Sequence, residues 1–157
     1  MVRSWLVAFV DDPRSPRSWW DVFTRPGFRH VQAWGWDADA GVWVVYSVFT
    51  DSTMVDALPP GDLADAVIGG ICAVSSAVLR FEPPARPEQG RMLRLGFWCV
   101  PAVAHLLGIR TGALVPHQLY RDLLRRGATP AYEGCLGRKI ERTEDRPGGR
   151  GGQPYRA

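Results

Sequence analysis

The chain has 157 residues, of which 46% are apolar, with seven tryptophans and a net charge of +3. This composition excludes an intrinsically disordered chain, and the length suits one domain with a hydrophobic core. No stretch approaches the ~20 apolar residues of a membrane span, so no span is predicted.

The positive charge is concentrated at the C-terminal end. Residues 138–157 contain six Arg or Lys against three Asp or Glu, whereas residues 1–137 hold 13 of each. Residues 147–154 are rich in Gly and Pro and contain no large apolar residue that could join a hydrophobic core. We therefore predict a single domain over residues 1–137 and a basic tail over residues 138–157 that is either solvated or docked to a partner surface. Nucleic-acid binding is not favoured.

The three cysteines, Cys72, Cys99 and Cys135, are widely spaced. Their odd number and their spacing match neither a disulfide framework nor a metal-binding motif. We therefore expect the chain to fold in a reducing compartment and to need no metal ion or cofactor.

The first half of the chain predicts mainly strands. A β-prone apolar run covers residues 4–10, and a Ser-Pro pair at residues 15–16 begins a predicted helix that reaches about residue 23. A hairpin follows with strands at residues 28–36 and 42–49, and a third strand is predicted at residues 53–58. Alternation along residues 28–36 places His30, Gln32 and Trp34 on one face of the strand.

The second half predicts helices from residue 61 to about residue 70, from Cys99 to Gly108, and from about Val115 to Gly127, with a strand at residues 77–81. The chain after Gly127 is turn-rich and predicts no further element. Together these elements predict an α+β fold, in which a small antiparallel sheet packs against a few helices.

Cys99 and His30 are the candidate catalytic residues. A cysteine at a helix N-terminus meets the positive end of the helix dipole, which stabilises a thiolate. A cysteine hydrolase also needs an imidazole that accepts the thiol proton and a polar group that orients the imidazole. His30 supplies the imidazole, and Ser47, Tyr46 and Gln32 are the polar candidates for the orienting role.

Other features favour an inactive site. Free cysteine is among the most buried residue types, and a strand histidine is often a core group. Trp98 and Pro101 flank Cys99 and crowd the approach of a substrate, and the return strand at residues 42–49 contains no Asp, Asn or His.

Three short motifs carry a resemblance to a known family. They are Arg-Pro-Gly-Phe-Arg-His at residues 25–30, the helix that begins at Cys99 and ends in Leu-Leu-Gly-Ile, and Pro116 followed by Leu119 and Tyr120. With the Trp-rich hairpin, they resemble small proteins of tailed bacteriophages and gene-transfer-agent-like particles, which are similar to permuted NlpC-type papain-like cysteine peptidases. The resemblance spans about residues 4–127. It implies a permuted papain-like fold, with Cys99 as nucleophile and His30 as general base.

Two functional hypotheses follow. In the first, the chain is a structural component of a phage-like particle, in the tail or head–tail region, and its papain-like body is a docking module. Its partners are then other virion proteins, with several copies in one assembly, and it is found in the virion after assembly in the bacterial cytoplasm. In the second, the chain is a cysteine hydrolase, an amidase or peptidase acting on cell-wall peptide, with Cys99, His30 and Ser47 in the site.

Overall fold

Residues 1–12, 22–49, 52–88 and 98–133 are described by a computed structural model. Within them, six strands form one sheet: β1 (Trp5–Val10), β2 (His30–Asp37), β3 (Val42–Val48), β4 (Thr53–Leu58), β5 (Ser75–Phe81) and β6 (Thr129–Glu133). The helices are α1 (Asp62–Ala73), α2 (Cys99–Leu106) and α3 (Pro116–Arg125). The strand order is β4-β3-β2-β1-β5-β6, and all neighbouring strands are antiparallel.

The central strand β1 explains why the sheet forms around the N-terminal segment. All six residues of β1 are apolar, and the strand pairs with β2 on one side and with β5 on the other. Val7, Ala8 and Phe9 are fully buried, so both faces of this strand are covered. A continuous apolar run is the pattern expected for a strand covered on both faces.

Alternating side chains divide the core into two layers. On the face that we call the α2/α3 face, Val7, Phe9, Val31, Ala33 and Leu79 pack with buried residues of α2 and α3. On the other face, which we call the α1 face, Ala8, Val10, Trp34, Val45 and Val78 pack with apolar residues of α1. The sheet is therefore the middle of three layers.

The helices differ in how far their own sequence specifies them. In α3, Pro116 occupies the first turn, and Leu119 and Leu123 are fully buried on one face. In α1, Gly69 and Gly70 weaken the intrinsic helix propensity, and the helix nevertheless continues to Ala73. Packing of Val67, Ile68 and Ile71 against the sheet stabilises this second half of α1.

The predicted α+β class is confirmed by this antiparallel sheet and its helices. One element differs from the expectation, because residues 129–133 form β6 where the sequence predicted only turns. This strand has only five residues, and it contains Pro130. Proline is unfavourable within a sheet, and five residues are too few to show the alternating apolar pattern of a strand. Pairing with β5 is what stabilises it. The predicted helix at residues 15–23 lies largely outside the described residues, and so does the basic tail.

Candidate functional site

Cys99 is the first residue of α2, as the sequence predicts, and its side chain is buried in the α2/α3 face. Burial raises the pKa of the thiol from its ordinary value of 9.0 to about 11. Hydrogen bonds from the backbone of Val31, Cys99 and Val100 lower the pKa, but by less than burial raises it. Desolvation thus outweighs the stabilisation that a helix N-terminus gives to a thiolate, and Cys99 is a neutral thiol at pH 7.

His30 is the first residue of β2 and lies on the α1 face. Its cross-strand partner is Val10, a member of the core layer on that face. The imidazole stacks on Phe49, with ring centroids 6.3 Å apart and an interplanar angle of 21°. Its Nε2 atom is buried and has no hydrogen-bond partner among the described residues. Burial lowers the pKa of His30 from 6.5 to about 4, so the ring is neutral at pH 7.

The sheet separates the two candidate catalytic side chains. Cys99 packs beside Val31 on the α2/α3 face, and His30, the residue before Val31, points to the opposite face because side chains alternate along a strand. The pKa of His30 is shifted by burial alone, and that of Cys99 by burial and backbone groups. The geometry therefore contains no thiol–imidazole contact of the kind that transfers a proton.

The polar candidates for the orienting role divide between the two faces. Ser47 pairs directly with Gln32, so both lie on the α1 face with His30, and Ser47 is buried with only 8% of its surface exposed. Tyr46 is on the other face, where it packs against the α2/α3 core. The structure thus brings His30, Gln32 and Ser47 to one face and leaves Cys99 on the other.

The motif at residues 25–30 connects β1 to β2. Gly27 has a φ of 88°, and its backbone N–H donates a 2.6 Å hydrogen bond to the Asp11 carboxylate. The same carboxylate lies 3.6 Å from Nη1 of Arg29, whose backbone N–H donates to the carbonyl of Val10. Glycine suits this conformation because it adopts positive φ at little cost. The motif therefore has a structural role in which the Asp11 carboxylate takes part, and no local pattern in the sequence connects Asp11 with residues 25–30.

A second polar cluster joins the loop after β5 to the end of α3. Arg126 donates from Nη1 to Glu88 at 2.5 Å, from Nε to Asp122 at 3.1 Å and from Nη2 to the carbonyl of Arg110 at 2.5 Å. Glu88 also accepts a hydrogen bond from the backbone N–H of Arg110. The spacing of Asp122 and Arg126 is a sequence signal for a helical ion pair, whereas nothing local points to Glu88.

Neither a metal centre nor a membrane span is found in the part of the chain that the structure describes. There, no three His, Cys, Asp or Glu side chains form a group that would hold a metal ion. No helix among these residues is long and apolar enough to cross a membrane.

Comparison with known protein families, with curated proteins and with solved structures finds no match for this chain.

Proposed function

We propose that this chain is a structural component of a phage-like particle, in the tail or head–tail region, and that it acts as a docking module. The observation that carries the proposal is the separation of Cys99 from His30 by the sheet. A cysteine hydrolase needs these groups in contact and the thiol accessible. With neither condition met, the cysteine-containing helix serves as part of the core, and the surface of the domain is left for interaction.

Two further features support the docking role. The family resemblance implies a virion protein built on a permuted papain-like fold, and α2 beginning at Cys99 beside an antiparallel sheet is compatible with that plan. In addition, Met54, Val55 and Phe49 near one edge of the sheet are 45–62% exposed. Met54 and Phe49 lie on the α1 face and Val55 on the opposite face, because side chains alternate along a strand. Exposed apolar groups at one edge of a sheet suit a surface that contacts another protein.

The hydrolase hypothesis has less support. A substrate would have to reach the Cys99 sulfur, although only 9% of this residue's surface is exposed. The pKa of the thiol is about 11, so almost no thiolate would be present to attack it. The imidazole that would activate this sulfur lies on the opposite face of the sheet, stacked on Phe49.

The proposal is tested in the organism that encodes this chain, first by analysing the particles that it produces and then by substituting Cys99. We expect purified phage-like particles to contain the chain in several copies, as measured by quantitative mass spectrometry. Cys99→Ala and Cys99→Ser should leave the number of assembled and DNA-transferring particles unchanged. Absence of the chain from purified particles would contradict the proposal, as would loss of function in both variants when their melting temperatures match that of the wild type.

A further inference from the structure

Within the described residues, the strand β4 is an edge of the sheet. Among them it pairs with β3 alone, in a regular register from Trp43–Leu58 to Val48–Thr53. The backbone N–H of Phe49 donates to the carbonyl of Ser52 at 2.7 Å, which makes these two a hydrogen-bonded pair. Hydrogen-bonded pairs alternate along an antiparallel ladder. It follows that the N–H and C=O groups of Thr53, Val55 and Ala57 point away from β3.

This edge lacks most of the devices that protect sheet edges from association. Natural edges are usually protected by proline, lysine, bulges or very short strands. The six residues of β4 contain no proline, lysine or arginine, their one charged residue is Asp56, and the β3–β4 pairing has no register shift. Val55 is 62% exposed and Met54 45% exposed. The edge therefore presents backbone donors and acceptors together with apolar side chains.

The opposite edge of the sheet, β6, has the direction required to pair with β4. Because each strand is antiparallel to its neighbour in the order β4-β3-β2-β1-β5-β6, β4 and β6 run in opposite directions. A second copy placed beside the first in the same orientation would thus bring β4 antiparallel to β6. Pro130 in β6 offers only its carbonyl, which removes one possible hydrogen bond without closing the edge.

The charges of the chain favour this head-to-tail arrangement over a symmetric one. Residues 31–79, which include β2, β3, β4 and α1, contain six Asp and no other charged residue. Among the described residues between 80 and 133, which include β6 and α3, there are six Arg against four Asp or Glu. Pairing β4 with β4 of another copy would bring two acidic segments together. Pairing β4 with β6 instead brings the acidic segment to one with an excess of Arg, although each strand itself carries one acid, Asp56 in β4 and Glu133 in β6.

The charged groups also lie at matching ends of the two edges. β4 ends at Leu58 and leads into α1, whose first turn carries the exposed Asp62 and Asp65. β6 begins at Thr129, which pairs with the exposed Arg80 of β5. Arg80 lies on the α1 face, as Asp62 and Asp65 do, because its neighbours Leu79 and Phe81 belong to the α2/α3 core. Antiparallel pairing of β6 with β4 places the end of β4 beside the start of β6.

We propose that the partner of the β4 edge is the β6 edge of a second copy of this chain. The two strands pair antiparallel, so that the sheet continues from one copy to the next with acidic and basic segments in contact. An interface of this head-to-tail kind closes into a ring or extends into a filament. This inference rests on the proposed function, in which the chain is present in several copies in a particle. It adds that the neighbour of each copy is another copy of the same chain.

The first test blocks the edge without touching the β3–β4 ladder. Val55→Pro removes an N–H that points away from β3, and Val55→Thr keeps that N–H as the matched control. We expect the wild type and Val55→Thr to form assemblies larger than a dimer as concentration rises, in sedimentation velocity experiments. Val55→Pro should remain monomeric, with circular dichroism confirming that it folds. Equal association of the proline and threonine variants would overturn the proposal.

The second test exchanges charges and does not depend on a proline being tolerated. Asp62→Lys with Asp65→Lys, and separately Arg80→Glu, should each weaken self-association, and an equimolar mixture of the two variants should restore it. Wild-type association should weaken in 1 M salt, where the Debye length is about 3 Å. A dimer that grows no further and strengthens with salt would instead indicate β4–β4 pairing, and a monomer at every concentration would also refute the inference.

These outcomes are distinct from a failure of the proposed function. If the purified chain does not self-associate but is found in particles, the inference about its neighbour is wrong and the docking role stands. If the chain associates head-to-tail but is absent from particles, the proposed function is wrong.

Discussion

At the scale of single residues, Cys99 shows how burial overrides a favourable local position. A helix start lowers the pKa of a thiol, but the pKa falls below its ordinary value only where this effect exceeds the cost of desolvating the thiolate. Cys99 sits on a helix start beside the apolar α2/α3 core, and burial is the largest influence on its pKa.

We predict that Cys99 reacts slowly with iodoacetamide in the folded protein. A pKa of about 11 in place of 9.0 leaves about 100-fold less thiolate at pH 8, and burial slows the reaction further. Mass spectrometry of peptides after timed labelling, with and without denaturant, measures the rate at this cysteine. Rapid labelling of the native protein near pH 7 that is abolished by His30→Ala would contradict this prediction. It would support the cysteine-hydrolase hypothesis instead.

His30 predicts a pH dependence of stability. Its pKa is about 4 in the folded protein and about 6.5 when unfolded, so the unfolded chain binds the proton more tightly. The free energy of unfolding is therefore highest above pH 6.5 and falls as the pH drops towards 4, by roughly 3 kcal/mol in all. Urea denaturation at several pH values, compared between wild type and His30→Gln, isolates this contribution. Parallel curves for the two proteins would show that the pKa of His30 is the same in the folded and unfolded chain, which would contradict its burial as a neutral ring.

At the scale of elements, the contact between β2 and the chain before β1 depends on a glycine. A Cβ at Gly35 would lie 2.8 Å from the carbonyl oxygen of Ser4, which is backbone and cannot turn aside, and would also meet Val2. We expect Gly35→Ala to lower the free energy of unfolding by about 1–3 kcal/mol, in the range measured for overpacked sites.

The matched control for this substitution is Gly69→Ala. Gly69 is exposed in α1, and apart from its chain neighbours and the backbone of its own helix, no described atom lies within 4 Å of a Cβ built there. Alanine should stabilise this helix by about 0.5–1 kcal/mol because it favours helical backbone more than glycine does. Chemical denaturation of both variants gives the two values, and a neutral or stabilising Gly35→Ala would refute the close approach of β2 to Ser4.

At the scale of the whole molecule, the two core layers share one sheet and should unfold together. Leu119 belongs to the α2/α3 face and Val78 to the α1 face, and both are at most 1% exposed. We expect Leu119→Ala to cost about 2–5 kcal/mol and Val78→Ala about 1–3 kcal/mol.

Because the two side chains belong to different layers, the double variant should lose the sum of the two free energies to within about 0.5 kcal/mol. Far-UV circular dichroism and tryptophan fluorescence should report one coincident transition in every variant. Two separate transitions would show that the layers are independent folding units, and the sheet would then not be the common scaffold of the domain.

Much of the local structure follows from the sequence. The apolar run of β1, the hairpin of β2 and β3, and the helix starts at Cys99 and Pro116 are all specified by short patterns. Alternation along β2 also assigns His30, Gln32 and Trp34 to one face and Val31 to the other. These features depend on residues that are near one another in the chain, so they are predictable without the fold.

Only the tertiary structure decided which helix covers which face of the sheet. Helix α2 packs on the face of β2 that carries Val31, and this position separates Cys99 from His30. The packing depends on contacts between residues about 70 positions apart in the chain. The burial that raises one pKa and lowers the other depends on the same packing, as does β6, which forms because β5 offers it a ladder of hydrogen bonds. A sequence pattern fixes the face a side chain takes within its own element, whereas the partner on that face is set by the sum of many weak, long-range contacts.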